Sequence, residues 1–366
     1  MRAASGMAGP AAQPTTSWWL ERMKTDAAVE GVVPLEMADV VIIGAGMSGL
    51  SVAYHLARLS SERSVLVVDA RDVAGGASGR NGGHLTPAAD SDFEKETTEE
   101  LLAFIETARI DCDLMKGGKM KRTEGDEESG AENLIPDSFQ FFPAKVCAGL
   151  LREAQRLKND IIFAAGVRVD GIEHKWPRLE LRWTGTSNGR SGVVQAQQVV
   201  VCTNGWLDSL LPEFSNVFYG ARNQVLMTAP LPAENLKSWT TNGMGSWERA
   251  SGEIYAIRRA DNRICIGGAR ALEPNEARNN TDDATLNSVV GDALRRKITS
   301  LTGLSEVPVE GEWTGVLGFT TDGNALIGRV PGRESVYICG GFNGHVRTCI
   351  HTYQTFLSEL LSRFCC

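Results

Sequence analysis

ADVVIIGAGMSGLSVAYHLARLSSERSVLVVDA, residues Ala38 to Ala70, decides the fold. Val40 to Ile43 is a β-branched run of buried-strand length, and Val65 to Val68 is a second. Between them GxGxxG stands at Gly44, Gly46 and Gly49, enclosing Met47 and Ser48, and Leu50, Ala53, Tyr54, Leu56 and Ala57 then share one helical face. A βαβ unit with glycines at its first turn aims a helix N-terminus, with its N–H groups and positive dipole end, at a pyrophosphate. Asp69, followed by Ala70, closes the second strand, where a carboxylate accepts hydrogen bonds from ribose hydroxyls and disfavours a 2′-phosphate. GxGxxG alone is a weak signal, but strand, turn, helix, strand and terminal acid together predict a dinucleotide site.

The next stretch separates flavin from nicotinamide. GGASGRNGGH, Gly75 to His84, has five glycines and no apolar anchor. Such a loop brings successive N–H groups of Ser78, Gly79, Gly82 and Gly83 against a phosphate or ring edge, and Arg80 and Asn81 are expected to add side-chain donors. A third unit lies further on. Val336 to Cys339 reads as a buried strand, Gly340, Gly341 and Gly344 as a turn, and Ile350, Tyr353, Phe356 and Leu360 as one face of a helix. Two strand–glycine–helix sites in one chain suit a long, bent cofactor.

Composition narrows the partners. With 366 residues, 42% hydrophobic, the chain can bury a sizeable core, and a net charge of −8 with scattered Lys and Arg argues against a nucleic-acid surface. No run is apolar enough to span a bilayer. Eight cysteines without CxxC spacing imply neither zinc nor a disulfide framework, so no metal is expected and a reduced, cytoplasmic setting fits. Residues 1–16 read as a mobile arm, and Lys116 to Asn133, charged and without periodicity, as an exposed loop. An amphipathic helix is expected over Thr97 to Leu114, and another over Asp283 to Leu301.

In motifs and their order the chain resembles the FAD-dependent D-amino-acid oxidase-like family, which includes sarcosine, glycine and γ-glutamylputrescine oxidases. The resemblance runs from about Ser17 to Leu361 and rests on VVIIGAGMSGL, GGASGRNGGH, FPAKVCAGLLREAQ, VVVCTNGW, ARNQVLMTAPL, WTGVLGFTTDGNALIG and GGFNGH. It implies an α/β fold: a Rossmann-like FAD-binding domain, discontinuous over 38–90, 143–216 and 311–366, beside a smaller antiparallel-sheet α+β substrate domain from 91–142 and 217–310, after an N-terminal arm of residues 1–37. Ile254–Arg259 and Arg263–Arg270 are expected to form a hairpin in that second sheet. The stretch between His84 and Phe142 is shorter than the resemblance implies, which suggests a compact substrate domain with a more open site, or impaired activity.

The resemblance further implies hydride transfer from a carbon bearing an amine to the flavin, leaving an imine, with dioxygen or another acceptor as the final oxidant. FAD is expected to be noncovalent, because Trp313 to Phe319 lacks the cysteine that covalent relatives use. Cofactor contacts carried over from the motifs include Val169, Thr203, Asn204, Gly205, Gly341, Phe342, Asn343 and Gly344. His84 and His345 fall near the ring; His345 either assists deprotonation of the substrate ammonium or only bonds backbone. Tyr255 and Trp313 are pocket walls or core. Relatives acting on free amino acids carry an arginine where this chain has Leu317, which tilts the substrate toward an amine or an amino-acid derivative without a free α-carboxylate, unless Arg222, Arg258, Arg259 or Arg270 substitutes. A flavin dehydrogenase with a non-oxygen acceptor and a non-catalytic FAD-binding relic are the alternatives.

Overall fold

A computed structural model describes residues 9–23, 35–59, 62–87, 91–123, 132–236, 244–249 and 252–344. The βαβ unit forms as the sequence predicts: strand Met37–Ile43, helix Met47–Arg58 and strand Val65–Val68, the two strands parallel. Alternation along the first strand divides its burial between two layers. Val40 and Ile42 join the core under helices Met47–Arg58 and Pro143–Leu157, while Val41 and Ile43 join the core on the opposite face with Leu179, Leu181 and Trp183.

Strands Ser191–Val201 and Val336–Gly340 extend this sheet in parallel on one side and Ile161–Ala164 on the other; Leu326–Arg329 adds an antiparallel edge. Val167–Lys175 and Arg178–Gly185 form an antiparallel flap on Ser191–Val201. The second sheet has seven strands in the order Val309–Thr320, Phe218–Thr228, Ile264–Gly268, Gly252–Arg258, Met244–Arg249, Lys119–Thr123 and Glu132–Ile135. Gly252–Arg258 and Ile264–Gly268 are the expected hairpin. Helix Ser288–Thr302, capped by the Asn287 side chain and ended by Gly303 at φ 70°, covers this sheet with Val290, Leu294 and Ile298.

Several expectations need correction. Lys116–Asn133 is not simply a loop: Lys119–Thr123 pairs in parallel with Met244–Arg249, and Glu132–Ile135 pairs with Lys119–Thr123. The absence of apolar periodicity misled because main-chain bonds at the sheet edge hold these strands. The helix expected over Thr97–Leu114 runs Asp92–Thr107, because the Ser91 side chain accepts from Glu94 N–H and Arg109 leaves the helix at φ 50°. Strand Val309–Thr320 lies in the second sheet, so the chain returns to the first sheet after Thr320 rather than at 311.

The described part of the arm is fastened rather than mobile. Thr15 N–H donates to Asp283 C=O (2.8 Å), the Ser17 hydroxyl to Gly79 C=O (2.6 Å), and the Trp19 indole to Asn81 C=O (2.7 Å). Trp18 and Trp19 are buried in the core that also contains Val225 and Trp313 of the second sheet. Cys112, Cys147, Cys202, Cys265 and Cys339 are buried. Among the described residues no helix is long and apolar enough to cross a membrane, and no group of acidic, histidine and cysteine side chains could hold a metal.

Candidate active site

The glycine turn is compact enough to exclude any other residue. Gly44 holds φ +114°, and a Cβ there would lie 2.6 Å from Cys202 C=O; a Cβ on Gly49 would lie 1.9 Å from Gly44 C=O. That contact seats the helix directly on the strand end, beside a cavity lined by Gly44, Gly46 and Ser48. Asp69, Ala70, Ser78 and Val169 form further parts of its wall, as do Thr203, Asn204 and Gly205. The Asp69 carboxylate is oriented by N–H bonds from Ala45 (2.7 Å) and Arg71 (2.8 Å). Burial nevertheless pushes its pKa up to about 6, the two N–H bonds opposing the shift.

Thr203 Oγ1 and Trp206 Nε1, on residues of this wall, are buried without a hydrogen-bond partner among the described residues. Orphaned polar atoms beside a glycine turn, a helix start and a carboxylate fit the phosphates and hydroxyls of a dinucleotide.

The glycine loop runs from this cavity to a second one. Gly76, Ala77 and Ser78 line the first; Asn81, Gly82 and His84 line the second, with Asn343 and Gly344 joining from the turn after Val336–Gly340. Tyr255 forms another wall, its hydroxyl accepting from Asn223 Nδ2 (2.8 Å) and its ring meeting His84 edge-on at 5.1 Å. Thr86, Arg270, Leu317 and Phe319 line it too, and Thr86 Oγ1 is buried with no partner among the described residues. The loop therefore connects the first cavity to a second, mixed polar and aromatic one.

Not every expected site residue faces these cavities. Arg80 is corrected from cofactor donor to internal tie: it is buried, and its guanidinium donates to the carbonyls of Gly75 (2.9 Å), Thr15 (2.8 Å) and Thr314 (3.0 Å). Burial lowers its pKa only to about 10, so it keeps its charge at neutral pH. Asn81 lines the second cavity, but its side chain serves the loop itself, donating to Ala77 and Ser78 C=O and accepting from Gly83 N–H. A loop of glycines has few side chains to hold it in place, and these two do so.

Of its two expected places, wall or core, Trp313 takes the core: it is fully buried, its indole donating to Arg80 C=O (2.9 Å), and has no place on either cavity wall. Met47, Gly49, Gly79, Gly83, Gly341 and Phe342 support the two cavities without lining either. Ser78 also accepts from Met47 N–H (2.9 Å), joining loop to helix. His345 and the helix expected over Ile350–Leu360 lie outside the described residues. Sequence reasoning missed Trp206, Thr86 and Asn223, whose types and spacing carry no local signal.

Comparison with known proteins agrees with this geometry. A family model described as FAD dependent oxidoreductase matches residues 39–135 and 123–350. The chain is 25% identical over 374 residues to gamma-glutamylputrescine oxidoreductase of Escherichia coli (strain K12), covering 88% of this chain and 83% of that protein. In structure it resembles glycine oxidase from Geobacillus kaustophilus, with a TM-score of 0.72 at 17% identity over 90% of this chain and 95% of that one. It also resembles L-proline dehydrogenase from P. horikoshii, with a TM-score of 0.70 at 18% identity over 90% and 94%. The chain therefore belongs to the FAD-dependent oxidoreductase family, as an enzyme with FAD as its cofactor.

Proposed function

We propose that the protein oxidises the C–N bond of an amine or amino-acid derivative, with the nucleotide part of FAD in the first cavity and the substrate in the second. The observation that carries this is the Gly75–His84 loop, one end of which lines each cavity. When bound, FAD supplies a two-electron acceptor for hydride from the amine-bearing carbon, so that an imine forms and water hydrolyses it.

The protein's own residues do the placing. Asp69, ionised above about pH 6, accepts from ribose hydroxyls, and the N-terminus of Met47–Arg58 faces the pyrophosphate. Tyr255, held by Asn223, and His84 form a rigid polar wall against which the amine is positioned. Asn343 fixes the turn beside them: its side chain accepts from Thr320 N–H (2.9 Å) and donates to Gly341 C=O (2.8 Å). His345, beyond the described residues, follows directly as a group able to take the ammonium proton.

Both an oxidase and a dehydrogenase stand among the structural neighbours, so dioxygen and a dye compete as acceptors in the test. The purified protein should be yellow, bleach anaerobically with a subset of polyamines, N-methyl amino acids and free amino acids, and regain colour with dioxygen or dye. A protein that takes up no FAD, or whose bound flavin no amine reduces, refutes the reading.

A further inference from the structure

Among the described residues, one arginine lines the second cavity without a carboxylate partner. Arg222 gives Nε and Nη2 to Glu273 (3.1 and 2.8 Å) and Nη1 to Asp282 and Thr285. Arg259 pairs with Asp113 (2.9 Å), and Arg258 donates to Leu236 C=O and to Asn262. Lys119, a second cation on the cavity wall, lies 3.6 Å from Glu253. Arg270 has no carboxylate partner among the described residues; its guanidinium lies over the Phe319 ring, 4.5 Å from the centroid, on the wall of the second cavity. An arginine stacked this way keeps its planar fork of N–H donors at the ring's edge, ready for a carboxylate.

Its place relative to Leu317 gives the ligand's shape. Leu317 and Phe319 are alternate residues of Val309–Thr320 and both line the cavity, so they project from the same face of the strand. Two strand residues span about 6.7 Å. The cation over Phe319 thus sits about one strand repeat from Leu317, whose aliphatic side chain lines the wall beside it. Glu276 also lines the cavity and disfavours a second carboxylate nearby.

We infer that the substrate carries its carboxylate several bonds away from the C–N bond that is oxidised, an ω-amino acid or N-acylated equivalent, and that Arg270 is the specificity-determining residue that binds it across a methylene chain packed on Leu317. This rests on the second cavity being the substrate site. FAD-loaded protein is tested with 5-aminopentanoate, pentylamine and 2-aminopentanoate, and non-oxidisable hexanoate is titrated by calorimetry. The ω-amino acid should exceed the α-amino acid in kcat/KM by at least about tenfold. Arg270→Ala should lower kcat/KM for 5-aminopentanoate by about 10–100-fold and change that for pentylamine less than about threefold, with Arg270→Lys recovering only part. Leu317→Arg should raise activity on 2-aminopentanoate relative to the ω-isomer.

Equal losses on pentylamine and 5-aminopentanoate, or a preference for the α-amino acid, overturn the inference. Should no amine reduce the flavin, the proposed function fails, yet hexanoate still decides the role of Arg270. It binds the wild type and not Arg270→Ala if the inference is right, and binds both alike, or neither, if it is wrong.

Discussion

Asp69 shows how a single carboxyl serves two opposed demands. Its folded pKa of about 6 lies above the ordinary 3.8, so the cofactor-free fold holds that proton more tightly than the unfolded chain does. For this group, stability without FAD therefore rises as pH falls from about 6 toward 4. Ribose hydroxyls need the ionised form, so FAD affinity should fall over the same descent. Fluorescence titration of FAD from pH 8 to 5 should show this weakening, and Asp69→Asn should bind about 10–100-fold more weakly at pH 8 with a flat profile below 7. Gly49→Ala sets a Cβ against the Gly44 carbonyl, backbone against backbone, and should cost about 1–3 kcal/mol or more in urea unfolding together with FAD retention. Both residues were readable in the sequence because their constraints are local: a turn that admits no Cβ, and an acid at a strand end. Arg80 was readable as unusual, but not in its role, because its acceptors on Thr15 and Thr314 are distant in the chain.

The glycine loop, as an element, depends on that arginine. Arg80→Met strips a donor from three carbonyls in a buried setting, and the expected outcome is about 3 kcal/mol lost in chemical denaturation, with a larger relative loss of bound FAD absorbance. Arg80→Lys should restore little, since an ammonium cannot reproduce a planar fork. Strands announced by β-branched runs, such as Val65–Val68 and Val336–Gly340, were legible because burial on both faces selects those side chains. Lys119–Thr123 was not, because its place is set by backbone pairing with Met244–Arg249. The second cavity was partly legible for the same reason: His84 and Asn343 belong to glycine motifs, whereas Thr86 and Asn223 meet them only through the sheets.

Across the whole molecule, the end of the βαβ unit, the arm and the segment before helix Ser288–Thr302 meet at one ion pair. Asp283, fully buried, accepts from both terminal nitrogens of Arg71 (2.7 and 2.9 Å), while its own carbonyl takes the Thr15 N–H. Arg71 follows Asp69 and lines the first cavity. Asp283→Ala leaves that guanidinium inside without its partner and should cost about 3–5 kcal/mol, measured by calorimetry as a lower Tm or a split transition. The sequence could not show that Val309–Thr320 pairs with Phe218–Thr228, since a pairing partner is a tertiary fact. The first cavity takes its walls from segments as far apart as Gly44 and Val316. A molecule that fills it stabilises only the assembled fold, by an amount that grows with its free concentration. A cell short of riboflavin would thus accumulate less of the folded polypeptide, clearing the unfilled remainder by proteolysis, so vitamin supply sets abundance as well as occupancy.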